Sequence, residues 1–305
     1  MKYILLKITL IICLLPVGLA NAATVSYEEK ARRVFSIENE LAFVLKVEAA
    51  LARSQARHGV IPQWAADDIT NKSTLEFLPI ADFLAEKNKV RHRMVALLNV
   101  WNRSLKDAGQ YVHFGATTVD IYDTVLTLQL IETVALNLNA LRDLEGRLMD
   151  LAIEHKDTVM IGRTLGQQAL PITFGKKIST WVAETRRNIE RFKVVHNKLK
   201  KMSILKGAVG SYVGLGNSAM EVEKQFAKEL GLAVPYIDDW HSARDVYAEY
   251  ALAQALVAQS LARLGQEVYL LQMNEVNELV ERRPKKAVGS STMPHKVNPS
   301  DSDAL

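Results

Sequence analysis

The chain has 305 residues, enough for one large domain or two ordinary ones. Its hydrophobic share of 49% allows a sizeable core, and its charged share of 24% is ordinary for a soluble protein. A formal net charge of +4 is too small to argue for nucleic acid or an acidic membrane surface, and no basic stripe interleaved with aromatics occurs.

In chain order, the first element is a predicted secretory signal over residues 1–22. "MKYILLK" supplies positive charge, "ITLIICLLPVGL" is an apolar run, and Ala20 to Ala22 give small residues before a cut expected after Ala22. The apolar run is too short for a good membrane span, and the alternative to a cleaved signal is an uncleaved anchor. The mature protein is therefore expected to be secreted or periplasmic and free of the membrane. Cys13, the sole cysteine, would leave with the signal. Disulfides and thiolate metal sites are then excluded, and no metal or cofactor is expected.

Residues 23–111 read as a smaller N-terminal helical domain, broken by "HGVIPQW" and "EFLPIADF". Residues 112–305 read as a central domain of very long helices. Val119 to His155 holds no proline, and Leu128, Ile131, Val134, Leu138, Leu141, Leu148 and Leu151 recur at helical spacing. Pro171 to Met202 opens with a proline, tolerated in a first turn, and its apolar positions include Ile178, Trp181, Val182, Ile189 and Phe192. Ala243 to Arg283 places Val246, Tyr250, Ala253, Val257, Leu261, Leu264, Val268 and Leu271 on one stripe. A helix of about 40 residues would run ~60 Å and needs partners along its whole length. Strand-like alternation is nearly absent. The predicted fold class is all-α, an N-terminal helical domain plus a bundle of very long helices shared between subunits.

The breaks between these helices are polar. In "YVHFGATTVDIYDT", Thr117, Thr118 and Asp120 are placed to cap the next helix, which leaves His113 and Asp123 unexplained. In "IGRTLGQQALPITFGKK", Arg163, Thr164, Gln167 and Gln168 cluster as donors before a predicted helix start, where a carboxylate or phosphate would fit. The alternative is that Arg163 simply bridges two helix ends. The third break, "GSSTMPHKVNP", pairs Ser290 and Ser291 with Met293, Lys296 and Asn298. Lys296 and Asn298 suit a carboxylate. Ser290 would need a positive, water-excluded setting to act as a base. The alternative is a solvated loop of ordinary turn residues.

Together the three stretches resemble the fumarase/aspartase superfamily. "GSSTMPHKVNP" resembles its signature loop at every fixed position, and "HFGATTVDIYDT" and "GRTLGQQALPITFG" resemble its two other shared regions. "EHKDTVMIGRT", "RNIERFK" and "KGAVGSY" are similar to adenylosuccinate lyases, whereas the stretch from Trp240 to Val276 leans toward 3-carboxy-cis,cis-muconate cycloisomerases. The resemblance implies β-elimination from a small dicarboxylate, mostly releasing fumarate, without a cofactor. It implies Ser290 as base with Ser291 beside it, and Met293, Lys296 and Asn298 in the substrate loop. It further implies His113 as a catalytic residue in contact with substrate, and substrate contacts from Thr117, Thr118, Arg163, Thr164, Gln167, Gln168 and His92. It implies a homotetramer whose active sites combine regions from three subunits.

Two positions depart from that pattern. Leu165 stands where the lyases carry the histidine expected as general acid, a loss that typically costs ~10²–10⁴ in rate. Arg93 stands where they carry an aspartate. Family members also continue past the signature loop, so the chain is expected to be a truncated form lacking the C-terminal part.

Overall fold

The computed structural model describes residues 25–282, 288–293 and 295–305. The expected signal, residues 1–22, lies outside them, as does Pro294 of the third break. The described chain is mostly helical and divides into two compact units. One comprises residues 25–136 and 193–249, the other residues 137–192 and 250–305. The expected boundary near residue 111 falls inside the first unit, which also draws in residues 193–249.

The first unit opens with α1 (Tyr27–Val34) and α2 (Ile37–Arg57), whose N-cap hydroxyls Ser26 and Ser36 accept from the amides of Glu29 and Asn39. Each such cap satisfies a helix-end donor and contributes about 1 kcal/mol. Pro62 and Pro79, the prolines of the two short breaks, immediately precede α3 (Gln63–Asn71) and α4 (Ile80–Val90). Proline suits that place because a helix-end amide has no intrahelical partner to lose. α4 stops where Arg91 turns left-handed, and His92 then caps α5 (Arg93–Leu105).

These helices bury Leu41, Leu45 and Leu51 of α2 against Ile69, Phe83, Leu97 and Trp101. Ile121 and Val125, near the start of α6 (Thr118–Glu154), and Phe226 of α8 (Ala219–Glu229) join the same core. Full burial of one such side chain contributes about 1.5–3 kcal/mol.

The second unit is built on the later part of α6, on α7 (Phe174–Leu199) and on α9 (Asp245–Leu271). Phe174, Ile178 and Trp181 of α7 pack with Leu148 of α6 and with Leu264, Val268 and Leu271 of α9. On α9, Val246, Ala253, Leu264, Val268 and Leu271 of the expected stripe are buried, while Tyr250, Val257 and Leu261 are partly buried.

Three local expectations change. The second break is an antiparallel hairpin, β1 (Val159–Thr164) with β2 (Gln167–Thr173), not an irregular lead into a helix. Pro171 sits in β2 opposite Ile161, so α7 starts three residues later. Both strands of a two-stranded sheet are edges, and an edge tolerates a residue without an N–H. The helix expected to reach Arg283 ends at Leu271, where the amides of Glu278 and Leu279 return to the Leu271 carbonyl at 2.9 and 3.2 Å. Asn277, left-handed at φ 49°, makes that reversal possible.

Candidate active site

The first break, Tyr111 to Thr124, is held by buried polar side chains around it. His113 is left-handed at φ 58° and its Nδ1 lies 2.7 Å from Glu48 Oε1 of α2. Gln55, seven residues and two turns further along α2, donates to the Phe114 carbonyl at 2.7 Å. Gly115 turns left-handed at φ 70°, and a Cβ there would meet the Gly214 carbonyl oxygen at 2.2 Å. Only glycine admits that approach.

Thr117 precedes α6 and its amide donates to Asp120 Oδ2 at 2.9 Å, one half of a capping box. Asp120 is buried and also accepts the amides of Lys206 and Gly207 at 2.8 and 3.0 Å. Burial pushes its carboxyl above the ordinary range, against the pull of those three donors and of His113. Asp123 accepts from the Ser242 amide at 3.0 Å and pairs with Arg244. Both aspartates therefore anchor loops within the unit. Beside them Lys206, Tyr212 and Glu223 form a mostly buried triad, with Tyr212 Oη donating to Glu223 at 2.6 Å.

The His113 imidazole is mostly buried, which works against its charge. The Glu48 carboxylate beside it, by charge and hydrogen bond, and the more distant Asp120 outweigh that effect and raise its pKa above the ordinary value.

In the same unit an open cleft of about 830 Å³ is lined by Lys87, Asn88, Arg91, His92, Arg93, Thr118 and Tyr122. His92 Nδ1 accepts from the Val95 amide at 3.3 Å, which leaves Nε2 as the protonated ring nitrogen of the neutral form. Thr118 and His92 thus meet at the mouths of α6 and α5, where helix amides favour anions. Arg93 is engaged: it pairs with Glu40 and lies 3.8 Å above the Tyr122 ring centroid.

The remaining predicted residues belong to the other unit. Arg163 donates both guanidinium branches to Glu278, at 2.9 and 2.7 Å, so its fork is occupied within the chain. Thr164, Gln167 and Gln168 are exposed on the hairpin. Leu165 is fully exposed at its tip, left-handed at φ 50° beside Gly166 at φ 75°, as a two-residue turn with both φ positive requires.

The signature loop is closed on itself: the Asn298 side-chain amide donates to the Gly289 carbonyl at 3.0 Å. Ser290 Oγ accepts from the Met293 amide at 3.1 Å and is only half exposed. Ser291, Met293 and Lys296 are exposed. Glu281 anchors the far side through the Ser302 amide at 2.7 Å. Among the described residues no three His, Cys, Asp or Glu side chains are grouped to hold a metal ion.

Sequence reasoning missed Glu48 altogether. Its signal was a lone acid inside the apolar run "VEAALA", where an unpaired carboxylate is unfavourable.

Long packed helices with polar breaks define an all-α fold, and a family model described as lyase matches residues 20–305. The chain belongs to the fumarase/aspartase superfamily. The adenylosuccinate lyase of Methanocaldococcus jannaschii is 40% identical over 270 residues, covering 88% of this chain and 58% of that protein. The N-acetyl-S-(2-succino)cysteine lyase of Dickeya dadantii is 36% identical over 274 residues, covering 90% and 60%. The crystal structure of 3-carboxy-cis,cis-muconate lactonizing enzyme from Pseudomonas putida matches at TM-score 0.76 and 32% identity, over 84% of this chain and 59% of that one. The chain spans about 58–60% of the length of these relatives.

Proposed function

We propose that the protein is a lyase of the adenylosuccinate type, cleaving a 2-substituted succinate by β-elimination to release fumarate. The observation that carries this reading is the signature loop: Ser290 stands half-buried in a loop closed by Asn298 and Gly289, with Lys296 exposed in the same stretch. Ser290 takes the proton from the carbon next to a carboxylate. Lys296 stabilises the doubly charged aci-carboxylate, the stage at which preorganised charge acts most strongly. His113, His92, Thr117 and Thr118 supply substrate contacts. The relatives named as adenylosuccinate lyases support this choice.

A homotetramer completes the site in this reading. Exposed apolar residues on the long helices support it: Met149 and Ile153 on α6, and Leu252 and Leu256 on α9. The signal-like composition of residues 1–22 supports a mature protein outside the cytoplasm.

Leu165 favours a second reading. A cycloisomerase of the carboxymuconate type closes a lactone from a diene acid, and the solved lactonizing enzymes support it. One experiment separates them. Purified protein is given adenylosuccinate, N-acetyl-S-(2-succino)cysteine and 3-carboxy-cis,cis-muconate, each followed by ultraviolet absorbance. Fumarate release is the expected result, and Ser290→Ala is expected to abolish it while leaving the circular dichroism unchanged. Lactone formation alone moves the assignment to the second reading. No turnover of any of the three would mean an inactive relative.

A further inference from the structure

Glu48 has no exposed side-chain surface, yet only one of its oxygens is bonded. Oε1 faces His113 Nδ1 at 2.7 Å, while Oε2 has no partner among the described residues. A buried carboxylate so poorly satisfied is strongly unfavourable, and an apolar side chain at this place in α2 would pack better. His113 is itself held in the left-handed region, which a non-glycine residue adopts only when its surroundings enforce it. Two unfavourable features therefore meet at one hydrogen bond. The bond sets the chemistry of the ring: with Glu48 accepting from Nδ1–H, the other nitrogen, Nε2, is the one that exchanges a proton. Leu165, where a histidine acid was expected, offers no proton at all.

We infer that Glu48 is a positioning residue that holds His113 as the proton donor to the leaving atom. This rests on the fumarate-lyase reading. The Ser290 alkoxide takes the proton from the carbon beside the carboxylate. The electron pair left on that carbon forms the new double bond. The bond from the neighbouring carbon to nitrogen breaks, and its pair goes to the nitrogen. Nε2–H of the charged ring protonates that nitrogen, leaving a neutral ring whose remaining proton sits on Nδ1 toward Glu48. Before the next turnover the serine proton returns to the ring through solvent. The acidic groups facing His113 are Glu48 from α2 and Asp120 from α6, and both keep the ring charged against burial.

The test compares the full chain with Glu48→Gln, which keeps the shape and removes the charge. Histidine ring NMR, assigned with His113→Gln, follows the His113 titration directly. The variant is expected to titrate at lower pH, because the charge that holds the ring protonated is gone. Because a donor must be protonated, the alkaline limb of kcat/KM moves to lower pH by the same amount. On adenylosuccinate kcat falls ~10²-fold. On N-acetyl-S-(2-succino)cysteine it falls less than about tenfold, because a thiolate leaves without being protonated first. An unmoved His113 titration overturns the inference, and so does an unmoved limb on adenylosuccinate, whose leaving nitrogen needs the proton. A parent that turns over nothing counts against the lyase reading, and with it the donor role, while the NMR shift still decides whether Glu48 sets the ring. If Glu48→Gln does not fold, Glu48→Asp lengthens the contact and must lower the titration by a smaller amount.

Discussion

Asp120 Oδ1 receives the Lys206 backbone amide at 2.8 Å, joining positions 86 residues apart in the chain. With the Gly207 and Thr117 amides on its other oxygen, this carboxylate satisfies three backbone donors at once. Asp120→Ala leaves those donors without a partner in a buried setting. At ~1–3 kcal/mol for each of the three unsatisfied groups, the expected loss is ~3–9 kcal/mol, read from urea unfolding. A loss below about 1 kcal/mol would mean that water replaces the carboxylate.

Gly115→Ala tests the close approach of two loops. The added methyl would overlap the Gly214 carbonyl and the backbone is left-handed. Overpacking at ~1–3 kcal/mol and the left-handed penalty of ~1–2 kcal/mol act in the same direction. The melting temperature of the variant should fall by several degrees. An unchanged melt would show that the loops separate at little cost.

The pH dependence of stability should carry the mark of His113. Its pKa is raised in the folded chain, so the pair contributes fully below the unfolded value. That contribution is lost as pH rises through the folded value. Denaturant midpoints measured across this window should fall with pH in the parent and stay flatter in Glu48→Gln. Parallel curves would contradict the pairing.

Leu165→His restores a ring at the hairpin tip. With His113 the inferred donor, fumarate release from adenylosuccinate should change little, whereas a rise of about tenfold or more would place the donor at the hairpin tip. Histidine also tolerates a positive φ better than leucine, so no loss of stability accompanies the change. Steady-state kinetics of parent and variant decide the matter, and equal rates would show that the donor lies elsewhere.

The long helices were legible because helical periodicity is a local property. α6 was expected from Val119 to His155 and runs Thr118–Glu154, since thirty-odd residues of regular apolar spacing leave no competing pattern. The hairpin was not legible. "IGRTLGQQALPIT" lacks alternation because both strands are edges and β2 is mostly exposed, so no buried face imprints a period of two. The end of α9 at Leu271 was hidden for a related reason: the residues after it remain apolar because Val276 and Leu279 fold back onto the same core.

The sequence by itself determined the helical class, the long α6, the polar character of each break and the resemblance of the signature loop. Those are properties of neighbours in the chain, written in spacing and residue type. Only the tertiary structure decided which partners the polar residues find. Asp120, Asp123 and Arg163 were assigned to loops and to Glu278 by bonds that span 86, 119 and 115 residues. Glu48 was joined to His113 across 65 residues. A carboxylate's partner depends on which segments folding brings beside it, and no local pattern records that choice.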